Sequence, residues 1–178
     1  MAGEWTRLDR VNGEMPLRIA VPALLLAIGL YHPAAAGIDA SGRAELLAAQ
    51  NGYRAAVGVP PLRWSDSLAA TAQGWADHLG AIGRLEHSGP GQNLAMATSG
   101  TQSLAQLVAL WGRERVYFRD GSFPSISTTG NWADAGHYSQ IVWRDTTTVG
   151  CGFARRDGRD VLVCDYAPPG NVMGEQPY

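Results

Sequence analysis

The sequence has no lysine, only two cysteines, and no apolar run of the length that spans a membrane. All 14 basic residues are arginines, and they are scattered along a chain whose formal net charge is −2. Such a balance gives no electrostatic reason to expect a nucleic-acid partner. A single cysteine pair inside one C-terminal hairpin is also not the framework of a structural zinc site, which has four ligands at set spacings. The composition therefore predicts neither nucleic-acid binding nor a zinc held by cysteine.

Three common catalytic signatures are missing as well. The chain has no H-E-x-x-H, so the helix of zinc peptidases is not expected. It has no G-x-S-x-G, the nucleophile turn of α/β-hydrolases. It also has no glycine-rich loop followed by lysine, which excludes a phosphate-binding loop of the P-loop type.

The N-terminal region has the pattern of a signal peptide. Residues 19–31 form a 13-residue apolar run, shorter than the roughly 20 residues of a membrane-spanning helix. Arg18 precedes the run, and three alanines followed by Gly37 form a small-residue cleavage site. We predict that residues 1–36 are removed, with an uncleaved anchor as the alternative.

The polar prefix before this signal is unusual, because residues 1–14 mix acidic side chains with arginines. A start at Met15 would leave a conventional signal peptide, so we expect the true initiator there. Removing residues 1–36 leaves 37–178, the size of one ordinary domain. No helix that stays in the membrane is expected after cleavage.

A hairpin near the C-terminus brings the two cysteines face to face. Asp157-Gly158 is a strong signal for a two-residue type I′ turn. Counting outward from this turn places Cys151 opposite Cys164. Directly opposed residues of an antiparallel pair come within disulfide range. The spacing predicts a disulfide in an exported protein, and two buried free thiols are the alternative.

Hydrophobic periodicity predicts helices first and strands last. A first helix begins after Asp39 or Ser41 and a second after Ser65, because these side chains are good N-caps. The second has the clearest helical spacing, and Asp66 in its first turn suits the helix dipole. A segment at 138–143 is ambiguous between helix and strand. Helices followed by a hairpin favour an α+β layered fold. The remaining predicted elements are a third helix at 101–118 and strands at 92–98, 148–154 and 160–166.

Three histidines lie in the mature chain, and local reasoning leaves their roles open. His78 falls at the edge of the second helix and is given no role. His87 and His137 both follow glycine-containing breaks, where each is either an ordinary surface or hydrogen-bonded histidine or a functional imidazole. Ser139 is a weak candidate nucleophile, because it would share a strand face with His137 but has no visible orienting group.

Glu114 is the acidic residue of interest in the third helix. It lies one turn after Trp111, at the edge of the apolar stripe. A carboxylate there needs a partner or a shifted pKa. Arg115 lies nearer the centre of the stripe, so periodicity does not single out Glu114. A solvated helix edge or an ion pair with arginine remains the alternative.

Two segments near the C-terminus, GHYSQIVW and VCDYAPPGN, have the character of sequence motifs. They are similar to the two signature motifs of the CAP superfamily, which comprises cysteine-rich secretory, antigen 5 and pathogenesis-related 1 proteins and has an SCP-like extracellular domain. With three further segments they make a resemblance of five blocks. The other three blocks occur in the family's order, and the resemblance extends over about 44–171. They are NGYRAAVGVPPLRW, HSGPGQNLA and the Trp111-x-x-Glu114 pair.

The resemblance implies a three-layer α-β-α sandwich with a central antiparallel sheet, in a protein that is secreted. It further implies a cleft with two histidines and two acids, in which the histidines bind zinc or a similar divalent metal. By position these are His87, His137 and Glu114. The second acid is replaced by Gln92, in GQNLA where the family has GENLA. Glutamine keeps the hydrogen-bonding capacity but cannot act as a general base.

Two functions follow from this resemblance. The first is a non-catalytic secreted module that binds a divalent metal at His87 and His137 and also a lipid, sterol or extracellular protein. The aromatic-bearing segment 116–132 is where we look for an apolar groove, and an ordinary surface loop is the alternative there. The alternative is a metal-assisted hydrolase or peptidase that uses both histidines and Glu114. Gln92 and the lack of a complete nucleophile set favour binding. The medium and a periplasm are both open as destinations, and so is the oligomeric state.

Overall fold

The computed structural model describes residues 37–178. The predicted signal peptide and the proposed start at Met15 lie outside the described residues. None of the helices in the described range is long and apolar enough to cross a bilayer. The helices are α1 (Ala40–Ala56), α2 (Asp66–Ile82), α3 (Leu104–Gly112) and α4 (Gly136–Val142), and the strands are β1 (Arg63–Trp64), β2 (Gln92–Thr98), β3 (Thr148–Arg156) and β4 (Arg159–Ala167).

The four strands of 37–178 form one sheet in the order β1-β3-β4-β2. The pairs β3–β4 and β4–β2 are antiparallel, whereas β1 runs parallel to β3. The predicted α+β class is confirmed, and the central sheet is antiparallel except for the short strand β1 at its edge. Strand β1 has only two residues and closely follows Pro60-Pro61, so it leaves no periodic signal.

The C-terminal hairpin forms as predicted. Asp157 and Gly158 have φ angles of 48° and 74°, as a type I′ turn requires. The register pairs Cys151 with Cys164, and a disulfide joins them across a Cα–Cα distance of 4.1 Å. The alternative of two free thiols is therefore wrong for this structure.

The helices cover both faces of the sheet. Helix α2 packs on one face, against β3 and β4. Two residues of β3, Gly150 and Gly152, allow this close approach, because a Cβ on either would meet the backbone of α2. The opposite face carries the disulfide and is covered by α1, α3 and α4. The three-layer arrangement expected from the resemblance is confirmed.

Helix α3 is shorter than the predicted 101–118. It begins after Ser103, whose side chain forms a capping box with Gln106. After Gly112 the chain tightens into a 3₁₀ turn over Arg113–Val116. A 3₁₀ turn advances about 120° per residue where an α-helix advances about 100°. Arg115 is consequently exposed, and its predicted place on the apolar stripe is wrong.

A buried arginine ties α1 to the far end of α4. The Arg54 guanidinium is fully buried and donates hydrogen bonds to the backbone carbonyls of Pro60, Ile141, Trp143 and Thr146. Burial lowers its pKa to about 10, so it remains a cation at neutral pH. The contacts fix the C-terminal end of α4, the helix that carries His137.

Candidate functional site

A cleft of about 300 Å³ opens beside the start of α4. Its lining comprises a polar end, formed by both candidate histidines with Gln92, and an apolar wall, formed by Phe123 and Trp132. Its walls come from the loop that precedes β2, the segment before α4, α4 itself, and the chain after β4. The lining residues are His87, Gly89, Pro90, Gly91, Gln92, Asn93, Phe123, Trp132, Ala133, Gly136, His137, Gln140, Gly170 and Asn171.

Glu114 both orients His137 and caps α4. Its Oε1 lies 2.6 Å from His137 Nδ1, while its Oε2 accepts hydrogen bonds from the backbone N–H groups of His137 and Tyr138 at 2.8 and 3.2 Å. The first N–H groups of a helix lack intrahelical partners, and the residue before α4 is Ala135, which cannot cap it. A carboxylate also suits the positive end of the helix dipole. Because Glu114 occupies Nδ1, Nε2 is the ring nitrogen left free.

Neighbouring side chains hold the backbone around His137. Asn93 Nδ2 donates to the His137 carbonyl at 3.0 Å, and Asn171 Nδ2 donates to the Gly136 carbonyl at 2.9 Å. The buried Trp111 ring stacks beside the imidazole, with centroids 6.2 Å apart. The ring is thus positioned by contacts from several elements, as a preorganised binding site requires.

The two candidate histidines lie next to each other. The resemblance implied this proximity, whereas local sequence reasoning could not predict it. His87 lies on the loop between α2 and β2, and its ring centroid is 6.3 Å from that of His137, with 24° between the ring planes. Burial lowers the pKa of the His87 imidazole, and the electrostatic effect of His137 lowers it further. Both effects favour the neutral ring, which is the form that binds metals.

Gln92 is the first residue of strand β2 and lines the cleft. Its Oε1 accepts a hydrogen bond from the backbone N–H of Ser88 at 3.1 Å. Its Nε2 donates to Ser88 Oγ at 2.9 Å and to Asp165 Oδ1 at 2.8 Å. Asp165 therefore belongs to the surroundings of the site, although sequence reasoning missed it. Only the pairing of β2 with β4 places it opposite Gln92.

Ser139 is not available as a nucleophile. The ambiguous 138–143 segment forms most of helix α4, so the idea that Ser139 shares a strand face with His137 is wrong. Ser139 is fully buried, and its hydroxyl donates to Asn171 Oδ1 at 2.7 Å. The exposed His78 stacks on Trp75 and does not line the cleft.

The apolar wall comes from the segment that the sequence suggested. Phe123 and Trp132 pack edge to face with centroids 5.2 Å apart, and both line the cleft. Trp132 is 46% exposed, so one side of the indole is open to a ligand. Val116 and Tyr117 are also exposed but lie outside the cleft lining.

The donor set at the polar end is small. Across residues 37–178, no group of three or more His, Cys, Asp or Glu side chains surrounds a common metal position. Two imidazoles on one tetrahedral zinc have ring centroids about 5 Å apart, given Zn–N distances of about 2.0–2.1 Å. The rings of His87 and His137 are 6.3 Å apart. A shared cation would thus require the rings to approach by about 1 Å.

The sequence of this chain matches a known protein family. The profile of CAP, the cysteine-rich secretory protein family, matches residues 47–166. Pathogenesis-related protein 1A of Nicotiana tabacum is 37% identical over 168 residues, covering 93% of this chain and 96% of that protein. Pathogenesis-related leaf protein 4 of Solanum lycopersicum is 36% identical over 155 residues, covering 86% of this chain and 92% of that protein.

Solved structures share the fold. BmVAL-1 has a TM-score of 0.67 at 22% identity, over 82% of this chain and 85% of that one. A structure of NaASP2 with Zn²⁺ has a TM-score of 0.66 at 21% identity, over 80% of this chain and 87% of that one. At such identities these likenesses show the fold alone. The profile match and the plant relatives show the family: the chain belongs to the CAP family of cysteine-rich secretory proteins.

Proposed function

We propose that this chain is a secreted binding module whose cleft holds a divalent cation between His87 and His137. The apolar part of a ligand would lie against Phe123 and Trp132. The observation that carries the proposal is the convergence of two imidazoles at the polar end of a cleft with an aromatic wall. Cavities that bind small molecules combine these features, an apolar lining and a few converging polar groups.

Among the His, Cys, Asp and Glu side chains of 37–178, only the imidazole rings of His87 and His137 would bind the cation. Glu114 occupies His137 Nδ1, which leaves Nε2 as that ring's ligand atom. A histidine whose other nitrogen bonds a carboxylate is a common arrangement at zinc sites. Two protein ligands leave two positions of a tetrahedral zinc for water or a bound ligand. NaASP2, a structural neighbour, is known in a structure with Zn²⁺, so zinc is the first cation to test.

The apolar wall would take the other part of the ligand. A volume of about 300 Å³ is at the small end of the range for small-molecule sites. It suits a small amphipathic molecule, or one end of a larger lipid or sterol. The exposed face of Trp132 can contact an apolar chain while the polar group lies toward the histidines.

The alternative of a metal-assisted hydrolase has less support from the side chains. Both oxygens of Glu114 already accept hydrogen bonds from three donors, so this carboxylate acts as a positioning group. Gln92 cannot take up a proton as a general base. Ser139 is buried and bonded to Asn171. None of these three side chains is thus free to act as a base or a nucleophile.

Export is part of the proposal. The disulfide between Cys151 and Cys164 is of a kind that persists in oxidising compartments and is rare in cytosol. The signal-peptide pattern of residues 1–36 and the family's secretory character point the same way. The destination would be the medium or a periplasm.

Calorimetry with zinc chloride tests the proposal on metal-free protein. Wild type should bind zinc at one site, and His87→Ala and His137→Ala should each lower the affinity by about tenfold or more. The matched control is His78→Ala, an exposed histidine outside the cleft, which should bind as wild type does. Equal affinity in all four proteins, or an equal loss in the control, would overturn the metal site.

A fluorescent fatty acid tests the apolar wall separately. Trp132→Ala should weaken its binding, because the substitution removes the exposed aromatic face of the cleft. Tyr117→Ala is the control, since Tyr117 is similarly exposed but does not line the cleft. Equal binding by both variants and wild type would contradict a role for this wall.

A further inference from the structure

Gln92 and Asp165 form a carboxamide–carboxylate pair beneath the polar end of the cleft. They are directly opposed in the antiparallel β2–β4 ladder, and Gln92 Nε2 donates to Asp165 Oδ1 at 2.8 Å. Gly150, opposite Asp165 on β3, has no side chain to offer. Among the side chains of 37–178, only Gln92 donates a hydrogen bond to Asp165. The carboxylate is therefore coupled to the cleft through this one amide.

The neighbours of Gln92 fix which way its amide points. A carboxylate accepts hydrogen bonds and a backbone N–H donates them, so Nε2 must face Asp165 and Oε1 must face the Ser88 N–H. That N–H belongs to the peptide bond that joins Ser88 to His87. The amide of Gln92 therefore holds the peptide next to the candidate ligand His87.

The environment of Asp165 makes the chemistry at position 92 important. The carboxyl is partly buried; burial raises its pKa, and the hydrogen bond from Gln92 opposes that rise. A second carboxylate at position 92 would place two like charges in contact, which is strongly unfavourable at a buried site. A carboxamide there satisfies Asp165 and Ser88 together.

We propose that Asp165 is a positioning residue of the cleft, which acts through Gln92 to fix the peptide that carries His87. In this view positions 92 and 165 form one unit that requires one carboxylate and one carboxamide. The resemblance predicts a glutamate at position 92, where this chain has a carboxamide. The geometry instead places the second carboxylate of the site at Asp165, on the facing strand.

A charge swap tests the pair. The proteins are wild type, Gln92→Glu, Asp165→Asn and the double variant, each examined for its thermal midpoint and for the NMR signals of the Ser88 amide and the His87 ring. Asp77→Asn is the matched control, because Gln73 Nε2 donates to Asp77 Oδ1 at 3.0 Å on the exposed side of α2. Zinc affinity, the readout that rests on the proposed function, is measured separately.

The proposal predicts a specific pattern. Gln92→Glu should lower the midpoint by several degrees and shift the Ser88 and His87 signals, because its charge opposes Asp165. Asp165→Asn should have a smaller effect, since the asparagine side chain can still accept from Gln92. The double variant should regain the wild-type midpoint and signals, because the asparagine amide that it carries on β4 can donate to the new carboxylate on β2. The control should match wild type.

Two results would overturn the proposal. The first is a double variant no better than Gln92→Glu, which would mean that the positions act independently. The second is a fall in midpoint with unchanged Ser88 and His87 signals, which would reduce the pair to a structural contact. If wild type binds no zinc, the metal proposal fails, but the midpoint and NMR readouts still decide the role of Asp165.

Discussion

The carboxylate of Glu114 holds His137 at two points, its ring through Oε1 and its backbone N–H through Oε2. The ring's orientation and the start of α4 consequently depend on the same group. Glu114 comes from the 3₁₀ turn after α3, so the site also depends on how that helix ends. A change at Glu114 should affect both stability and binding.

Glu114→Gln is expected to lower the free energy of unfolding by about 1–3 kcal/mol, because a carboxamide has one acceptor oxygen and can no longer accept from both the His137 ring and the backbone N–H groups. It should also weaken zinc binding by about tenfold, since His137 loses the partner that orients it. Urea unfolding and calorimetry measure the two effects. Glu175→Gln, at an exposed carboxylate, is the control and should change neither. Unchanged stability and affinity in Glu114→Gln would refute the double role.

Arg54→Lys is expected to destabilise the fold by roughly 3 kcal/mol, although it keeps the charge, because lysine has three donors on one nitrogen and cannot reproduce the fork that reaches separate carbonyls. Arg63→Lys is the control, because Arg63 is exposed and should tolerate the change. Similar urea midpoints for both variants would show that the buried network contributes little.

Gly150→Ala should lower the free energy of unfolding by roughly 2 kcal/mol or more, because the added Cβ would meet the backbone of α2 at Ala69. The same substitution at Gly74, within α2, meets no atom within 4 Å. Gly74→Ala should therefore stabilise the protein by about 0.5–1 kcal/mol. Thermal and urea unfolding of the two variants should move in opposite directions, and a shift in the same direction would contradict the packing described.

Replacing both cysteines with alanine should cost about 3 kcal/mol, the chain-entropy value for a loop of about 14 residues. Urea unfolding of Cys151→Ala/Cys164→Ala against wild type measures the loss. Mass spectrometry of the native protein should find the two cysteine peptides joined. Two thiols that react with an alkylating reagent in the native protein would contradict the disulfide.

The parts of the fold that could be predicted are those that local chemistry decides. The Asp157-Gly158 turn sets the register of its own hairpin, so the pairing of Cys151 with Cys164 follows by counting. Asp39 and Ser65 cap their helices through side-chain hydrogen bonds to nearby backbone N–H groups. Each of these signals lies within a few residues of the structure that it determines.

Tertiary contacts decide the rest. Strand β1 exists because two residues pair with β3 far along the chain, and α3 ends where Gly112 packs against the Tyr53 ring. The convergence of His87 and His137 could be inferred only from the resemblance, since both lie outside periodic segments. Asp165 could not be found at all, because its contact with Gln92 depends on the β2–β4 register.

We propose that His87 and His137 act as a single cation site. The most direct test is a zinc titration of metal-free protein followed by the ¹⁵N NMR signals of the imidazole rings. We predict that the ring signals of both residues change together and reach a plateau near one zinc per chain, with His137 affected at Nε2 and with His78 unchanged. A response confined to one of the two rings, or no response in either while zinc is in excess, would show that His87 and His137 do not share a cation.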